Sequence, residues 1–276
     1  MATWPRFCAI ALGTLVGPLD SAVNIAFPAI TGAFGMPQSA IQWVIVCYVI
    51  LYATLLLIFG RLGDLFGHVR VFQVGLGICA LAFLGSGLAL SFEWLLVTRA
   101  LQGVGTAMVL SCGPALTTGL FGEHQRTRAL GAYAAVIGLG SAVGPSLGGL
   151  LVELWGWSAV FWFRLPIAVC SLALTFMLRM PAQTHASGRF DFAGATWLAI
   201  AVGTVLAAIS RARHGVMTLA EIAIFATLLI VAMIGLRHRQ GDHSNAVVQF
   251  SMFRNRDLSL VTLTGIVVNL VGFAVM

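Results

Sequence analysis

The chain has 276 residues, of which 59% are hydrophobic and only 9% are charged. Because a soluble globular domain carries about 25% charged residues, this chain cannot form a water-facing surface of ordinary polarity. Its mean hydropathy is +0.98, and charged clusters separate apolar runs of about 18 residues or more, the length of a membrane span. These features predict an all-α polytopic membrane protein and exclude a soluble enzyme, a disordered chain and a nucleic-acid-binding protein.

The formal net charge of +6 comes from 15 basic residues, all of them arginine. Basic residues concentrate in the cytoplasmic loops of a membrane protein. With the N-terminus inside, 11 arginines fall on the cytoplasmic side and two on the other, and Arg99 and Arg164 lie in or near the membrane. This predicts a multi-pass protein of the plasma (cytoplasmic) membrane, with the lipid bilayer as its partner. The cytoplasmic arginines are Arg6, Arg61, Arg70, Arg126, Arg128, Arg179, Arg189, Arg237, Arg239, Arg254 and Arg256, and those opposite are Arg211 and Arg213.

Nine apolar runs between the charged clusters predict nine transmembrane helices. Each is close to or longer than the roughly 20 residues that cross a bilayer. The predicted spans are 7–33, 41–59, 71–90, 94–120, 129–152, 158–178, 192–210, 217–236 and 258–276.

These spans divide the chain into five predicted parts. The ninth run stops at Met276 without a polar flank, so we expect a chain truncated after about nine spans, with a C-terminal half missing. The parts are an N-terminal six-helix bundle (1–180), a cytoplasmic linker (181–190), two additional helices (191–236), a cytoplasmic basic segment (237–257) and the first helix of an incomplete C-terminal bundle (258–276).

An acidic residue, Asp20, interrupts the first apolar run. It follows Phe7 by about 13 residues, which corresponds to roughly 20 Å of helix. A carboxylate at such a depth costs about 3 kcal/mol or more unless it faces a cavity or a partner, so Asp20 is a functional candidate. The alternative is a tolerated polar residue near an interface. Asn24 is expected one helical turn further along on the same face, and Pro18 and Pro28 flank the pair.

A basic residue, Arg99, lies within the fourth apolar run. If this run enters from outside near Glu93 and Trp94, Arg99 lies about 9 Å deep, which is compatible with a direct or water-bridged pair with Asp20. The alternative is an arginine that extends to the outer headgroups. Gln102 and its neighbouring glycines favour tight packing beside a polar cavity.

The segment GRLGDLFGHVR joins the second and third apolar runs. Gly60 and Gly67 permit a tight turn, and Asp64 can cap a helix or face the positive end of a helix dipole. Arg61 and Arg70 are predicted cytoplasmic anchors. The alternative is an ordinary basic loop.

The segment GLGSAVGPSLGG lies in the fifth apolar run. Gly140 and Gly144 form a GxxxG step that Gly148 and Gly149 extend, and small residues at this spacing let two helices approach closely. Pro145 is predicted to bend the helix. A static packing face is the alternative to a functional one.

Other kinds of chemistry find little support in the sequence. The five cysteines form neither a CxxC motif nor a Cys/His cluster, so neither a metal site nor a disulfide framework is predicted. No HExxH, GxSxG or phosphate-loop motif points to an enzyme, and no cofactor is predicted. The six histidines all lie near loops, which favours interfacial roles over those of an enzyme or a sensor.

The motifs LDSAVNIAFP, GRLGDLFGHVR, RALQGVGTA and GPSLGG occur in this order in successive predicted helices. Together they resemble the major facilitator superfamily, and WVIVCYVI and WGWSAVFWFRLPI are similar to segments of its fourteen-span drug:proton antiporter branch. The resemblance covers the whole chain. It implies a transporter that exchanges protons for small amphipathic or drug-like molecules by alternating access between two six-helix bundles. The alternative is a truncated, non-transporting fragment, or a half-transporter that needs a complementing part.

The resemblance also implies roles for individual residues. Asp20 and Arg99 match the family's proton-coupling pair, whereas Arg164 stands where asparagine is common, and its role is left open. The candidates for the substrate cavity are Asn24, Gln102, Trp43 and Tyr48. The cytoplasmic latch loop comprises Gly60, Arg61, Asp64, Gly67 and Arg70, and the antiporter helix motif comprises Gly140, Gly144, Pro145, Gly148 and Gly149.

Overall fold

A computed structural model describes residues 3–177, 190–212 and 217–239, together with Leu260. The three described ranges form an all-helical protein without strands. Short 3-10 turns lie at Pro18–Asp20 and Gln38–Ala40. The helices are α1 (Thr3–Thr14), α2 (Ser21–Ile25), α3 (Phe27–Phe34), α4 (Gln42–Phe66), α5 (His68–Gly87), α6 (Phe92–Leu120), α7 (Glu123–Trp155), α8 (Ala159–Trp162), α9 (Arg164–Met177), α10 (Phe192–Ala212) and α11 (Leu219–Arg239).

Eight helical segments in the described ranges are long and apolar enough to cross a membrane. They correspond to the first eight predicted spans, which confirms a multi-pass helical membrane protein. The ninth predicted span, 258–276, lies outside the described residues apart from Leu260. The predicted linker, 181–190, and the basic segment, 237–257, also lie almost wholly outside them.

The first span is a broken helix, although its apolar run predicts a single helix over 7–33. The α-helix ends at Thr14, a 3-10 turn begins at Pro18, and α2 is only five residues long. A new helix, α3, then starts with Pro28 in its first turn. Because proline lacks an amide hydrogen and its ring clashes with the preceding turn, it falls at the start of a segment. The break places Asp20 at the end of the 3-10 turn.

The segment between the second and third spans is mostly helical. The sequence predicts a loop over 60–70, but α4 continues to Phe66 and α5 begins at His68. Gly67 alone makes the turn, with φ 96° and ψ 124°. This left-handed backbone conformation is one that glycine tolerates and other residues rarely adopt.

The bundle is built around α6, which contacts α1, α4, α5 and α7. The largest apolar core lies among these helices and includes Phe72, Leu76, Phe83 and Leu95, all fully buried. The additional pair, α10 and α11, packs on the outside of α4, where Ile58 belongs to a second apolar cluster with helix α10. The central position of α6 brings Arg99 inside the bundle.

Candidate functional site

The carboxylate of Asp20 forms a two-point ion pair with the guanidinium of Arg99. Nη1 of Arg99 donates to Oδ1 at 2.6 Å, and Nη2 donates to Oδ2 at 2.8 Å. Such a two-point arginine–carboxylate contact is stronger and more directional than a single hydrogen bond. The side chain of Arg99 is 1% exposed, so it points into the bundle rather than to the headgroups.

A second arginine, Arg164, binds the same carboxylate. Its Nη1 atom donates to Oδ1 of Asp20 at 2.7 Å, and its Nε atom donates to the carbonyl oxygen of Val160 at 2.9 Å. The side chain is completely buried. The sequence marks Arg164 as a departure from the family pattern without assigning it a role, since span boundaries do not show which way a side chain turns.

Gln102 completes the ring of donors around the carboxylate. Its Nε2 atom donates to Oδ1 of Asp20 at 2.8 Å, while its Oε1 atom accepts from Arg99 at 2.7 Å. Nε of Arg99 also donates to the carbonyl oxygen of Val44 at 2.9 Å. We call Asp20, Arg99, Gln102 and Arg164 the arginine–aspartate cluster.

Aromatic rings cover the two guanidinium groups. Cζ of Arg99 lies 4.5 Å from the ring centroid of Tyr48. Cζ of Arg164 lies 4.6 Å from the ring centroid of Phe83 and 5.3 Å from that of Phe161. An arginine within about 6 Å of an aromatic face gains a cation–π attraction, which offsets part of the cost of removing it from water.

The four cavity candidates lie in different environments. Gln102 and Tyr48 are buried beside Asp20 and Arg99, and the ring of Tyr48 stacks on that of Tyr52. Trp43 is 49% exposed. Asn24 is also exposed. Although it follows Asp20 by one helical turn, it does not join the cluster around that carboxylate.

The glycines of α7 hold the segment that carries Asp20. A Cβ atom on Gly148 would lie 2.7 Å from the carbonyl oxygen of Ala22, and one on Gly140 would lie 3.0 Å from Leu15. A Cβ on Gly144 would collide with the side chain of Ser21. We call Gly140, Gly144 and Gly148 the glycine seam.

Two other residues of the predicted antiporter motif lie outside this seam. The nearest atom to a Cβ on Gly149 would be Cγ2 of Ile25, at 3.9 Å, which is ordinary contact. Pro145 lies inside α7, which continues unbroken from Glu123 to Trp155. The close approach of the two helices therefore depends on the three seam glycines.

In the predicted latch segment, Asp64 contacts two neighbours at the end of α4. Its carboxylate lies 3.2 Å from Nε2 of His68 and 3.9 Å from Nη1 of Arg61. Gly60 is loosely packed, because a Cβ atom added to it would lie 4.0 Å from the nearest atom of another helix. Arg70 lies in the first turn of α5. Asp64 of α4 therefore pairs with the first residue of α5, His68, across the turn at Gly67, and it does not cap the start of a helix.

No group of three His, Cys, Asp or Glu side chains within residues 3–177, 190–212 and 217–239 is placed to hold a metal ion. The five cysteines are free thiols.

The fold agrees with a comparison of the sequence against known families. Residues 10–276 match the sequence model of the Major Facilitator Superfamily. The chain belongs to the major facilitator superfamily. Members of this superfamily are membrane transporters, in agreement with the eight apolar spans.

Several curated relatives within the superfamily carry names that refer to resistance or transport. The chain is 31% identical over 261 residues to the Multidrug resistance protein Stp of Mycobacterium tuberculosis, covering 93% of this chain and 48% of that protein. It is 28% identical over 275 residues to the Methylenomycin A resistance protein of Streptomyces coelicolor, covering 97% and 57%. It is 26% identical over 265 residues to the Riboflavin transporter RibZ of Clostridioides difficile, covering 95% and 57%. The chain thus spans about half the length of these relatives.

Among solved structures, the chain is similar to the human organic anion transporter MFSD10. The TM-score is 0.54 at 19% sequence identity, covering 74% of this chain and 54% of that one. At this level of identity the likeness supports the superfamily fold alone.

Proposed function

We propose that this protein is a proton-coupled antiporter of the fourteen-span branch, which exports small amphipathic or drug-like molecules across the cytoplasmic membrane with its N-terminus inside. The observation that carries the proposal is a carboxylate at a helix break, Asp20, bound by two buried arginines. An ionisable group inside a membrane span is a candidate for proton transfer. The resistance names of the relatives support a drug-like substrate.

In the proposed cycle, the proton carried inward binds Asp20. The ionised carboxylate holds Arg99 through two hydrogen bonds, which ties the segment before α2 to α6. A protonated carboxyl group has no charge to hold a guanidinium, so proton binding would loosen this tie. A conformational equilibrium can be driven only by a ligand that binds its two states differently, and the proton meets this condition at Asp20.

The substrate cavity is proposed to open beside the arginine–aspartate cluster. Gln102 and Tyr48 lie at its buried end, and the exposed Trp43 and Asn24 would line the wall shared with a second helical bundle. Cavities for drug-sized molecules are mostly apolar with few polar groups, which suits export of varied molecules.

The latch segment and the glycine seam are proposed to serve the moving parts of this cycle. The segment that contains Gly60, Arg61, Asp64, Gly67 and Arg70 would hold the two bundles together on the cytoplasmic side. The seam, with Pro145 and Gly149 beside it, would keep α7 and α2 in close contact, so that the two helices move together.

The proposed domain organisation places the described helices in one half of a transporter. Residues 1–180 form the N-terminal bundle, 191–236 the two extra spans, and 258–276 the first helix of the C-terminal bundle, joined by the linker 181–190 and the basic segment 237–257. Alternating access requires both bundles, so the activity belongs to a protein of the length of the relatives.

The proposal is tested with the full-length protein in everted membrane vesicles. A panel of labelled drug-like compounds is offered, and a pH-sensitive dye follows the proton. Asp20→Asn should abolish proton-driven uptake of the exported compound, because an amide cannot carry the proton. Glu123→Gln is the matched control. This substitution also replaces a carboxylate by an amide, but at a side chain in the first turn of α7 that is 85% exposed. Undiminished proton-driven transport by Asp20→Asn would reject the role of Asp20.

A further inference from the structure

The arginine–aspartate cluster carries more positive than negative charge. Arginine stays protonated inside proteins, so Arg99 and Arg164 each contribute one positive charge, and Asp20 contributes at most one negative charge. Both guanidinium groups touch this single carboxylate. The cluster therefore has a net charge of at least +1 in the interior of the helical bundle.

No second acid in the described part of the chain balances this excess. Asp64 lies at the end of α4, and Glu93 and Glu123 lie in the first turns of α6 and α7. Glu153 lies in the last turn of α7, and Asp191 and Glu221 belong to the additional pair of helices. Among these groups, ion pairs join Asp64 and Glu123 to residues near them in sequence, and Glu221 to Arg211.

The unbalanced charge is centred on Arg164. Its Nε and Nη1 atoms have acceptors, but its buried Nη2 atom has no hydrogen-bond partner among the described residues. A buried charged donor without an acceptor is destabilising, because it loses its hydrogen bonds to water and gains none in return. The rings of Phe83 and Phe161 attract the guanidinium, but they neither accept a strong hydrogen bond nor cancel its charge.

The cluster also reaches the surface at one point. The carboxylate of Asp20, which bridges the two arginines, is 14% exposed, whereas the side chains of Arg99 and Arg164 are 1% and 0% exposed. The exposed part of Asp20 is therefore the side from which a small ligand would have to reach the guanidinium groups. A monovalent anion at this position would neutralise the excess charge and supply the acceptor that Nη2 lacks.

We propose that Arg164 and Arg99, beside Asp20, form a binding site for one monovalent anionic group. This group is either a free inorganic anion such as chloride or the carboxylate of a small organic molecule. The site goes beyond the proposed function, because anion binding requires neither a proton gradient nor a transported compound.

The test is anion binding to the purified full-length protein in detergent, followed by the midpoint of thermal unfolding. A ligand that binds only the folded state raises this midpoint in a saturable way. Chloride and benzoate are titrated separately at constant ionic strength, with benzamide as the uncharged counterpart of benzoate. A larger saturable shift with benzoate than with chloride, and none with benzamide, identifies an organic carboxylate. A saturable shift with chloride that benzoate does not exceed identifies a free inorganic anion.

Three substitutions should have three different effects on the affinity for the anion. Arg164→Met should weaken anion binding at least tenfold, because it removes both the excess charge and the unpaired donor. Arg126→Asn removes the same charge from a side chain that is 51% exposed, and it should leave binding unchanged. Asp20→Asn raises the net charge of the cluster to at least +2 and should tighten binding at least threefold.

The outcomes separate a binding site from a structural role. A saturable response in the unsubstituted protein that is lost in Arg164→Met and strengthened in Asp20→Asn supports the site. If Arg164→Met does not fold, the neutral but polar Arg164→Gln takes its place: a lost response there supports the site, and an equal response overturns it. No saturable response to either anion, an equal response in Arg164→Met, or no strengthening in Asp20→Asn overturns the proposal. A protein that binds the anion but shows no proton-driven export would contradict the proposed function alone.

Discussion

Arg99 and Arg164 share one oxygen atom of Asp20, with Nη1–Oδ1 distances of 2.6 and 2.7 Å. The two arginines start from different helices, α6 and the first residue of α9. They therefore join three parts of the bundle at a single carboxylate. Their contributions to stability should nevertheless be unequal, because the two side chains differ in how well their donors are satisfied.

Replacing Arg99 should be far more damaging than replacing Arg164. Arg99→Met removes the two-point pair and leaves Oδ2 of Asp20 and Oε1 of Gln102 without their donors, and each unsatisfied buried acceptor costs about 1–3 kcal/mol. Arg164→Met keeps the two-point pair of Asp20 and Arg99 and removes an uncompensated charge, so the free energy of unfolding should change by about 1 kcal/mol or less. Unfolding of both variants in detergent measures the difference. Equal losses would show that Arg164 is fully compensated in the folded protein.

The glycine seam predicts a steep difference between two adjacent glycines of α7. Gly148→Ala places a methyl group 2.7 Å from the backbone oxygen of Ala22, and such overpacking typically costs about 1–3 kcal/mol. Gly149→Ala meets only ordinary contact with Ile25. Because alanine favours a helix over glycine by about 0.5–1 kcal/mol, this second variant should be neutral or more stable. Thermal unfolding in the same detergent compares the pair, and a loss of stability in Gly149→Ala that matches that in Gly148→Ala would contradict the seam.

The single-residue turn between α4 and α5 should depend on glycine. Gly67→Ala forces a side chain into a backbone with φ 96°, and strained conformations of this kind cost about 1–3 kcal/mol. Gly122, which precedes α7, is the matched control because its φ is −64° and a Cβ there would meet no atom within 4 Å. Gly122→Ala should therefore change the unfolding temperature little, whereas Gly67→Ala should lower it. A similar result for both variants would mean that the turn adapts to alanine.

The start of α11 should be held mainly by capping rather than by charge. The backbone amide of Thr218 donates to Oε2 of Glu221 at 2.8 Å, and the amide of Glu221 donates to the hydroxyl of Thr218 at 3.2 Å. Arg211 of α10 also donates to Glu221 at 2.8 Å. A side-chain cap generally contributes more to the start of a helix than a partly exposed ion pair does.

Hydrogen exchange at the amides of residues 218–222 distinguishes these two contributions. Glu221→Ala should accelerate exchange clearly, because it removes both the cap and the pair. Arg211→Ala and Glu221→Gln should have small effects, since each keeps an acceptor for the amide of Thr218. Faster exchange in Arg211→Ala than in Glu221→Ala would mean that the ion pair dominates.

The positions of the spans followed from the sequence, but the path of the backbone within them did not. Hydropathy counts apolar residues and therefore placed eight spans correctly. It could not show that the first span breaks after Thr14, nor that α4 continues to Phe66. These details depend on where Pro18 and Gly67 interrupt the helices, which is a local backbone property.

The candidate site could be predicted in part for the same reason. Depth estimates for Asp20 and Arg99 allowed a pair, and the structure brings the two side chains together. Asn24 was expected on the face of Asp20, but it is exposed and takes no part in the arginine–aspartate cluster. Arg164, 144 residues further along the chain, donates to the same carboxylate, a tertiary contact that no spacing in the sequence reveals.

The contact between Gly148 and Ala22 has a mechanical consequence for the acid two residues earlier. The backbone of α7 at Gly148 packs directly against the backbone of Ala22, with no rotatable side chain between them. A tilt of α7 would therefore displace this part of the first span as well. The guanidinium groups that hold the carboxylate are rooted elsewhere, in α6 and α9. A rocking motion of α7 would therefore lengthen or shorten the ion pairs between Asp20 and the two arginines, so that the position of this helix sets the strength of those pairs.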